Sequence, residues 1–174
     1  SHASASYRYR RLTELMNRPG KKTVDDHWNF QRDHLNVMAR QIAPVMSKAL
    51  LAHQDTEAMG RILRDWDYRD DPDQAAPAVF QSVYRHFFLA VYQDKLGADL
   101  TKLLIDHPYF WQESLQRMVL AGKTPWFSQS RDDLFHRAAL ETYREMSRLQ
   151  GNDPQKWKWG RVHHLKLVSP LRLK

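Results

Sequence analysis

The chain has 174 residues, of which 42% are hydrophobic and 11% aromatic, and its formal charge is +7. This length and composition suit a single folded domain with a hydrophobic core and exclude an intrinsically disordered chain. The lack of cysteine excludes disulfides, thiol nucleophiles and thiolate metal sites, although it leaves the cellular compartment open. No apolar run reaches the length of a membrane span and no signal-peptide pattern is visible, so we expect a soluble domain without a membrane partner.

The first predicted helix begins at residue 7, after a small polar tail over residues 1–6. Its spacing places Tyr9, Leu12 and Met16 on one apolar face, and a Pro-Gly pair ends it. Thr23 and Asp26 then have the spacing of a capping box, which predicts the start of a second helix. The residues predicted to share a face of this second helix are Val24, Trp28 and Gln31.

A third apolar stretch keeps helical spacing as far as residue 54. Its periodic members are Leu35, Met38, Ile42, Val45, Met46, Ala49 and Leu50. Pro44 removes a backbone donor from the middle of the stretch, so we expect the helix to break there. Asp55 or Thr56 is then predicted to cap a short helix whose apolar residues are Met59, Ile62, Leu63 and Trp66.

The longest helical pattern covers residues 72–97 and predicts the central helix of the domain. Its apolar face consists of Ala76, Phe80, Val83, Tyr84, Phe87, Phe88 and Val91. Asp71 or Asp73 is predicted to cap its start, and Gly97 to end it. We expect the shorter helices to pack against this face.

Three more helices are predicted beyond Gly97. A short one carries Leu100, Leu103 and Leu104, and the next covers residues 109–121. The last opens at Ser130 and Asp133 and ends at Gly151, with Leu134, Ala138, Tyr143, Met146 and Leu149 facing inward. Residues 165–170 alternate between two sets of side chains, which is a weak strand signal. The predicted fold class is therefore all-α: an orthogonal multi-helix domain over residues 7–171 with a short extended C-terminal segment, and tails at 1–6 and 172–174.

No local pattern in the sequence encodes a reaction or a metal site. The acidic loop, defined as residues 65–73, holds five aspartates but lacks the glycine and the terminal carboxylate of a calcium-binding EF-hand loop. His163 and His164 are adjacent and do not have zinc-ligand spacing, and His86 and His136 lie on helical faces where packed or solvated histidines are the rule. The sequence therefore assigns no catalytic, cofactor-binding or metal-binding residue to this chain.

The C-terminal region interleaves basic and aromatic residues, which is a pattern that single-stranded nucleic acid can use. The basic residues are Lys156, Lys158, Arg161, Lys166, Arg172 and Lys174. The competing interpretation is that Trp157 and Trp159 anchor the region to the core and the cations are merely exposed. We favour this second interpretation.

Four short motifs in this order resemble the penicillin acylase (penicillin amidase) family. They are Arg11-Leu12-x-Glu14-Leu15, Gln31-x-Asp33, Leu63-x-x-Trp66-Asp67 and Trp157-x-Trp159-Gly160-x-x-His163. Pro170 and Leu171 continue the last motif, with Ser169 where the family commonly has a second histidine. The resemblance covers residues 7–171.

The resemblance implies an N-terminal nucleophile hydrolase, in which a serine freed by self-cleavage attacks an acyl amide and its own amine acts as base. The family's serine opens a Ser-Asn-x-Trp motif, whereas Ser1 is followed by His2, so the role of nucleophile is not carried over to Ser1. The oxyanion asparagine and the calcium ligands of the family also have no counterpart here. The resemblance thus implies a helical portion of the larger chain of an αββα enzyme, inactive by itself.

The implied partners are the remainder of the acylase chains and a small acyl-amide substrate, such as a β-lactam side chain or an acyl homoserine lactone. The implied compartment of the complete protein is periplasmic or extracellular, and calcium is possible there. We expect no nucleic acid partner. The alternatives are a basic helical module that binds nucleic acid and a free-standing helical interaction domain.

Overall fold

The computed structural model describes residues 7–106 and 110–164. Seven α-helices form this part of the chain: α1 (Tyr7–Met16), α2 (Val24–Gln31), α3 (Val37–Leu51), α4 (Glu57–Arg64), α5 (Ala75–Asp106), α6 (Phe110–Ala121) and α7 (Arg131–Gln150). Two short 3₁₀ turns follow, at Pro154–Lys156 and Trp159–Arg161. Across the described ranges, β pairing is limited to one antiparallel bridge between Leu35 and Arg69, which confirms the all-α prediction. The predicted extended segment at 165–170 and both tails lie outside the described residues.

The core is built on α5, as the apolar period predicts. Every residue of the predicted face is buried, and α5 packs mainly against α7 and α4. The rings of Phe87 and Phe135 stack with their centroids 4.2 Å apart, and Phe127 meets Phe87 edge-on. Helix α3 packs against α4 and α7 and completes the core. None of the helices in the described part is apolar over enough length to cross a bilayer.

Gly97 interrupts α5 as predicted. Its backbone has φ 75° and ψ 173°, a conformation that glycine adopts without a steric penalty, and helix resumes directly after it. In the resumed helix Leu104 packs against the core, whereas Leu100 and Leu103 are exposed and Thr101 is buried, so the prediction for this piece is wrong for two of its three leucines. Thr101 donates its hydroxyl to the carbonyl of Gly97 at 2.7 Å, which satisfies the polar group inside the fold.

The predicted break at Pro44 is also wrong, because α3 continues from Val37 to Leu51. Pro44 lies on the exposed side of the helix, where water can hydrate the carbonyl that loses its donor. Ala43 and Met46 are fully buried on the other side and hold the flanking turns against the core. Burial of the helix therefore outweighs the local preference of proline.

The faces predicted for α1 and α2 are wrong as well. Tyr9 and Met16 are exposed, and Trp28 is 58% exposed, while α1 buries Arg11 and Leu15 and α2 buries Phe30. A charged residue is thus part of the inward face of α1, which a search for apolar periodicity does not detect. Leu149, predicted to face inward, is likewise 63% exposed near the end of α7.

The caps follow the sequence more closely. Thr23 and Asp26 form the predicted capping box, and Ser130 accepts from the backbone of Asp133 at 3.0 Å. Thr56 occupies the predicted cap position of α4, but its hydroxyl donates to the carbonyl of Leu50. Helix α5 begins at Ala75, so neither predicted aspartate directly precedes it.

Candidate functional site: the acidic loop and the motifs around it

The acidic loop joins α4 to α5 and is held from two sides. On one side, the amide of Asp70 donates to the carbonyl of His34 at 3.0 Å, and the amide of Asn36 donates to the carbonyl of Tyr68 at 2.7 Å. On the other side, the amide of Gly160 donates to the carbonyl of Pro72 at 2.8 Å. The loop therefore connects the segment between α2 and α3 to the C-terminal turn.

The first two motifs meet in a buried ion pair. The guanidinium of Arg11 donates two hydrogen bonds of 2.9 Å to the carboxylate of Asp33, and each side chain is only 10% exposed. This hydrogen bonding lowers the pKa of Asp33 to about 2 and raises the pKa of Arg11. Glu14 binds both Arg11 and Arg40, so the charge cluster also ties α1 to α3.

The third motif overlaps the start of the acidic loop and anchors it in the core through a tryptophan. Leu63 and Trp66 are buried in the core, and the Trp66 ring lies 5.5 Å from that of Phe80. The indole nitrogen of Trp66 donates to the carbonyl of Arg69 at 2.9 Å, and the carboxylate of Asp67 accepts from the amide of Arg69. The motif thus holds the backbone between Trp66 and Arg69 in a tight turn at the start of the acidic loop.

The fourth motif fastens the C-terminal turn to the same loop. Trp157 is completely buried and donates its indole N–H to the carbonyl of Gly151 at 2.7 Å. Trp159 is half-buried and stacks on His163 with ring centroids 4.7 Å apart. A Cβ on Gly160 would lie 3.0 Å from the Cβ of Pro72, so this close approach favours glycine. The motif residues from 165 onward lie outside the described residues.

The carboxylates of the acidic loop face different partners. Asp65 binds Arg64, Asp71 lies 2.8 Å from the Nε2 of His34, and Asp73 binds Lys158 at 2.9 Å. Asp70 accepts from Asn36, and burial raises the pKa of its carboxyl group. Within residues 7–106 and 110–164 there is no set of three ligating side chains placed to hold a metal ion. The loop therefore does not fit calcium.

The two helical histidines singled out in the sequence, His86 and His136, each pair with a carboxylate. His86 lies 2.7 Å from a carboxylate oxygen of Glu145, and His136 lies 2.9 Å from one of Asp55. The rings of His53 and His136 also stack at 3.8 Å, a pairing that sequence spacing gives no sign of. Among the hydrogen bonds of the described residues, no serine or threonine hydroxyl binds a histidine ring; the Thr56 hydroxyl reaches only the backbone carbonyl of His53. These contacts hold backbone and helices in place, and none within residues 7–106 and 110–164 pairs a hydroxyl nucleophile with a histidine base.

The fold and its polar contacts define an all-helical domain in which the first two motifs pair through Arg11 and Asp33, while the third overlaps the acidic loop and the fourth binds it. The chain matches the sequence model described as penicillin amidase over residues 1–173, and it therefore belongs to the penicillin amidase family. No curated protein matches the chain significantly.

Proposed function

We propose that the complete protein is an amidohydrolase that cleaves an acyl amide bond, and that this chain is its helical portion and does not act alone. The match to the penicillin amidase family over residues 1–173 carries the proposal. The motif residues of this chain would keep the helical portion in one shape, because they bind one another and the acidic loop. The motif residues would thus position the helical portion and would not take part in the hydrolysis.

The nucleophile of the complete protein would be the serine of a Ser-Asn-x-Trp sequence outside these 174 residues. Its free amine would act as base, and backbone or amide donors beside it would stabilise the oxyanion. The partners of this chain would be the remainder of the acylase chains and a small acyl amide, such as a β-lactam side chain or an acyl homoserine lactone. Calcium, where present, would be held by the rest of the protein, and the compartment would be periplasmic or extracellular.

The test compares the chain alone with the protein translated from the complete coding sequence. A chromogenic phenylacetyl or fatty-acyl anilide should be hydrolysed by the complete protein and not by the chain alone. Replacing the serine of Ser-Asn-x-Trp with alanine should abolish hydrolysis. Turnover by the chain alone that is lost in Ser1→Ala would contradict the proposal. A complete coding sequence without Ser-Asn-x-Trp would instead favour a free-standing interaction domain.

We also propose that the basic C-terminal region does not bind nucleic acid. Complete burial of Trp157 supports this, because base stacking needs an exposed ring. Labelled single-stranded oligonucleotide should bind only weakly, with no loss in Trp157→Phe. Binding near physiological salt with a Kd of about 1 µM or less, lost in Lys158→Ala, would favour the nucleic-acid module.

A further inference from the structure

A groove runs between α5, α7 and the turn Trp159–Arg161. Its volume is about 430 Å³, which is within the range of small-molecule sites in proteins. Its apolar lining consists of Met146, Leu149, Trp159 and Val162, and its cations are Arg85 and Arg161. The family motifs contribute only Trp159 to it.

The apolar side of the groove is open to solvent. Leu149, on the last turn of α7, is 63% exposed. The ring of Trp159 has one face against His163. Exposed leucine beside half-buried tryptophan leaves apolar area that a ligand can remove from water. This side of the groove therefore favours an aliphatic or aromatic group.

The charged side carries an excess of cations. Glu145 accepts from Arg85 at 3.3 Å and lies 2.7 Å from His86, so its charge is already compensated. Arg161 forms no ion pair with any residue in the described ranges. An adjoining depression that shares Arg85, Glu145 and Leu149 adds Arg144 and Arg148, and of these Arg144 binds Glu141. Four arginines thus face two glutamates around the groove.

We propose that this groove binds an amphiphilic monocarboxylate, that is, an arylalkanoic or medium-chain fatty acid. Its apolar part lies on Trp159 and Leu149, and its carboxylate accepts from Arg161, with Arg85 nearby. A guanidinium that lacks an acidic partner suits a carboxylate because its N–H groups match both oxygens. The groove would bind such an acid whether or not the complete protein hydrolyses amides.

Isothermal titration calorimetry of the chain with 4-phenylbutyrate and with its neutral amide tests the charge. The acid should bind at least about 10-fold more tightly than the amide, and this preference should shrink as salt rises. Arg161→Ala should reduce the preference to about 3-fold or less, and Arg161→Lys should retain part of it. Arg137→Ala is the matched control, since Arg137 is exposed on α7 and does not line the groove.

Leu149→Asn tests the apolar contact. It should weaken acid and amide alike, by roughly 3- to 10-fold, because it removes apolar contact area without changing charge. Leu149 and Arg161 are both exposed, so the variants should keep the circular dichroism spectrum of the parent. Equal affinity for acid and amide, no saturable binding of the acid up to about 10 mM, or equal effects of Arg137→Ala and Arg161→Ala would overturn the assignment.

Discussion

At the scale of single residues, the ion pair of Arg11 and Asp33 holds α1 against the segment that follows α2. The two side chains are largely buried and share two short hydrogen bonds. Neither could remain there alone, since a buried charge without a partner is costly. The first two family motifs are therefore structural partners, because Arg11 of the first needs the charge of Asp33 in the second.

Asp33→Asn should lower the free energy of unfolding at pH 7 by about 2 kcal/mol. The folded-state pKa of Asp33, about 2, lies below its usual value of 3.8, so the stabilisation is present above pH 4 and is lost as pH falls from 4 towards 2. Urea unfolding of parent and variant at a series of pH values measures this. The difference between them should close over that interval.

Asp25→Asn is the control, because Asp25 lies in the first turn of α2 and is exposed. It should change stability by less than about 1 kcal/mol. Parallel pH curves for the parent and Asp33→Asn would show that the pair does not supply this stability.

At the scale of elements, α3 illustrates how packing overrides a local preference. Pro44 costs the helix a hydrogen bond, yet the helix is continuous because residues on either side of it are buried. The cost should therefore still be measurable in the stability of the domain.

Pro44→Ala should stabilise the domain by about 1 to 3 kcal/mol, because alanine supplies the missing donor and removes the clash of the ring. The midpoint of thermal unfolding should rise by several degrees. Lys48→Ala, an exposed change on the same helix, should leave it nearly unchanged. A lower midpoint for Pro44→Ala would contradict the inference that proline costs the helix stability.

Helix α5 supplies more of the buried core than any other helix of the described residues, and its Phe87 ring contacts both Phe127 and Phe135. Phe87→Ala should lower the free energy of unfolding by about 3 to 5 kcal/mol, because it removes stacking on Phe135 and leaves a cavity. Denaturant unfolding measures the loss. Leu100→Ala on the exposed continuation of α5 serves as the comparison and should cost less than about 1 kcal/mol. Similar losses for both variants would contradict the described packing.

At the scale of the whole molecule, the C-terminal turn closes the fold over the acidic loop. It brings together residues far apart in sequence through the amides of Trp159 and Gly160. Complete burial of Trp157 secures the closure, because its ring packs in the core and its N–H is satisfied.

Gly160→Ala should disturb this closure, since its Cβ would meet Pro72 at 3.0 Å. We expect the free energy of unfolding to fall by about 1 to 3 kcal/mol. Acrylamide should also quench tryptophan fluorescence more strongly, because Trp157 becomes accessible to it. Lys156→Ala on the same turn, with its exposed side chain, should change neither quantity. Unchanged quenching in Gly160→Ala would show that the turn accommodates the methyl group.

The individual residues of the candidate site could largely be predicted from the sequence, but the contacts between them could not. The sequence marks the four motifs and the aspartates of the loop, and it correctly assigns Trp157 to the core. It does not show that Asp70 is partly buried, that Arg11 meets Asp33, or that His53 stacks on His136. Each of these depends on residues from separate segments of the chain.

The amino-acid sequence predicts where the helices lie, that Thr23, Ser130 and Gly97 bound them, and which face of α5 is buried. These features follow from hydrogen bonds and apolar spacing within a few residues of each other. In contrast, the continuation of α3 through Pro44, the buried arginine of α1 and the basic groove beside α7 become visible only in the folded chain. The reason is physical: burial and charge pairing are set by whichever distant segment packs alongside, and that energy can exceed the preference of any single residue.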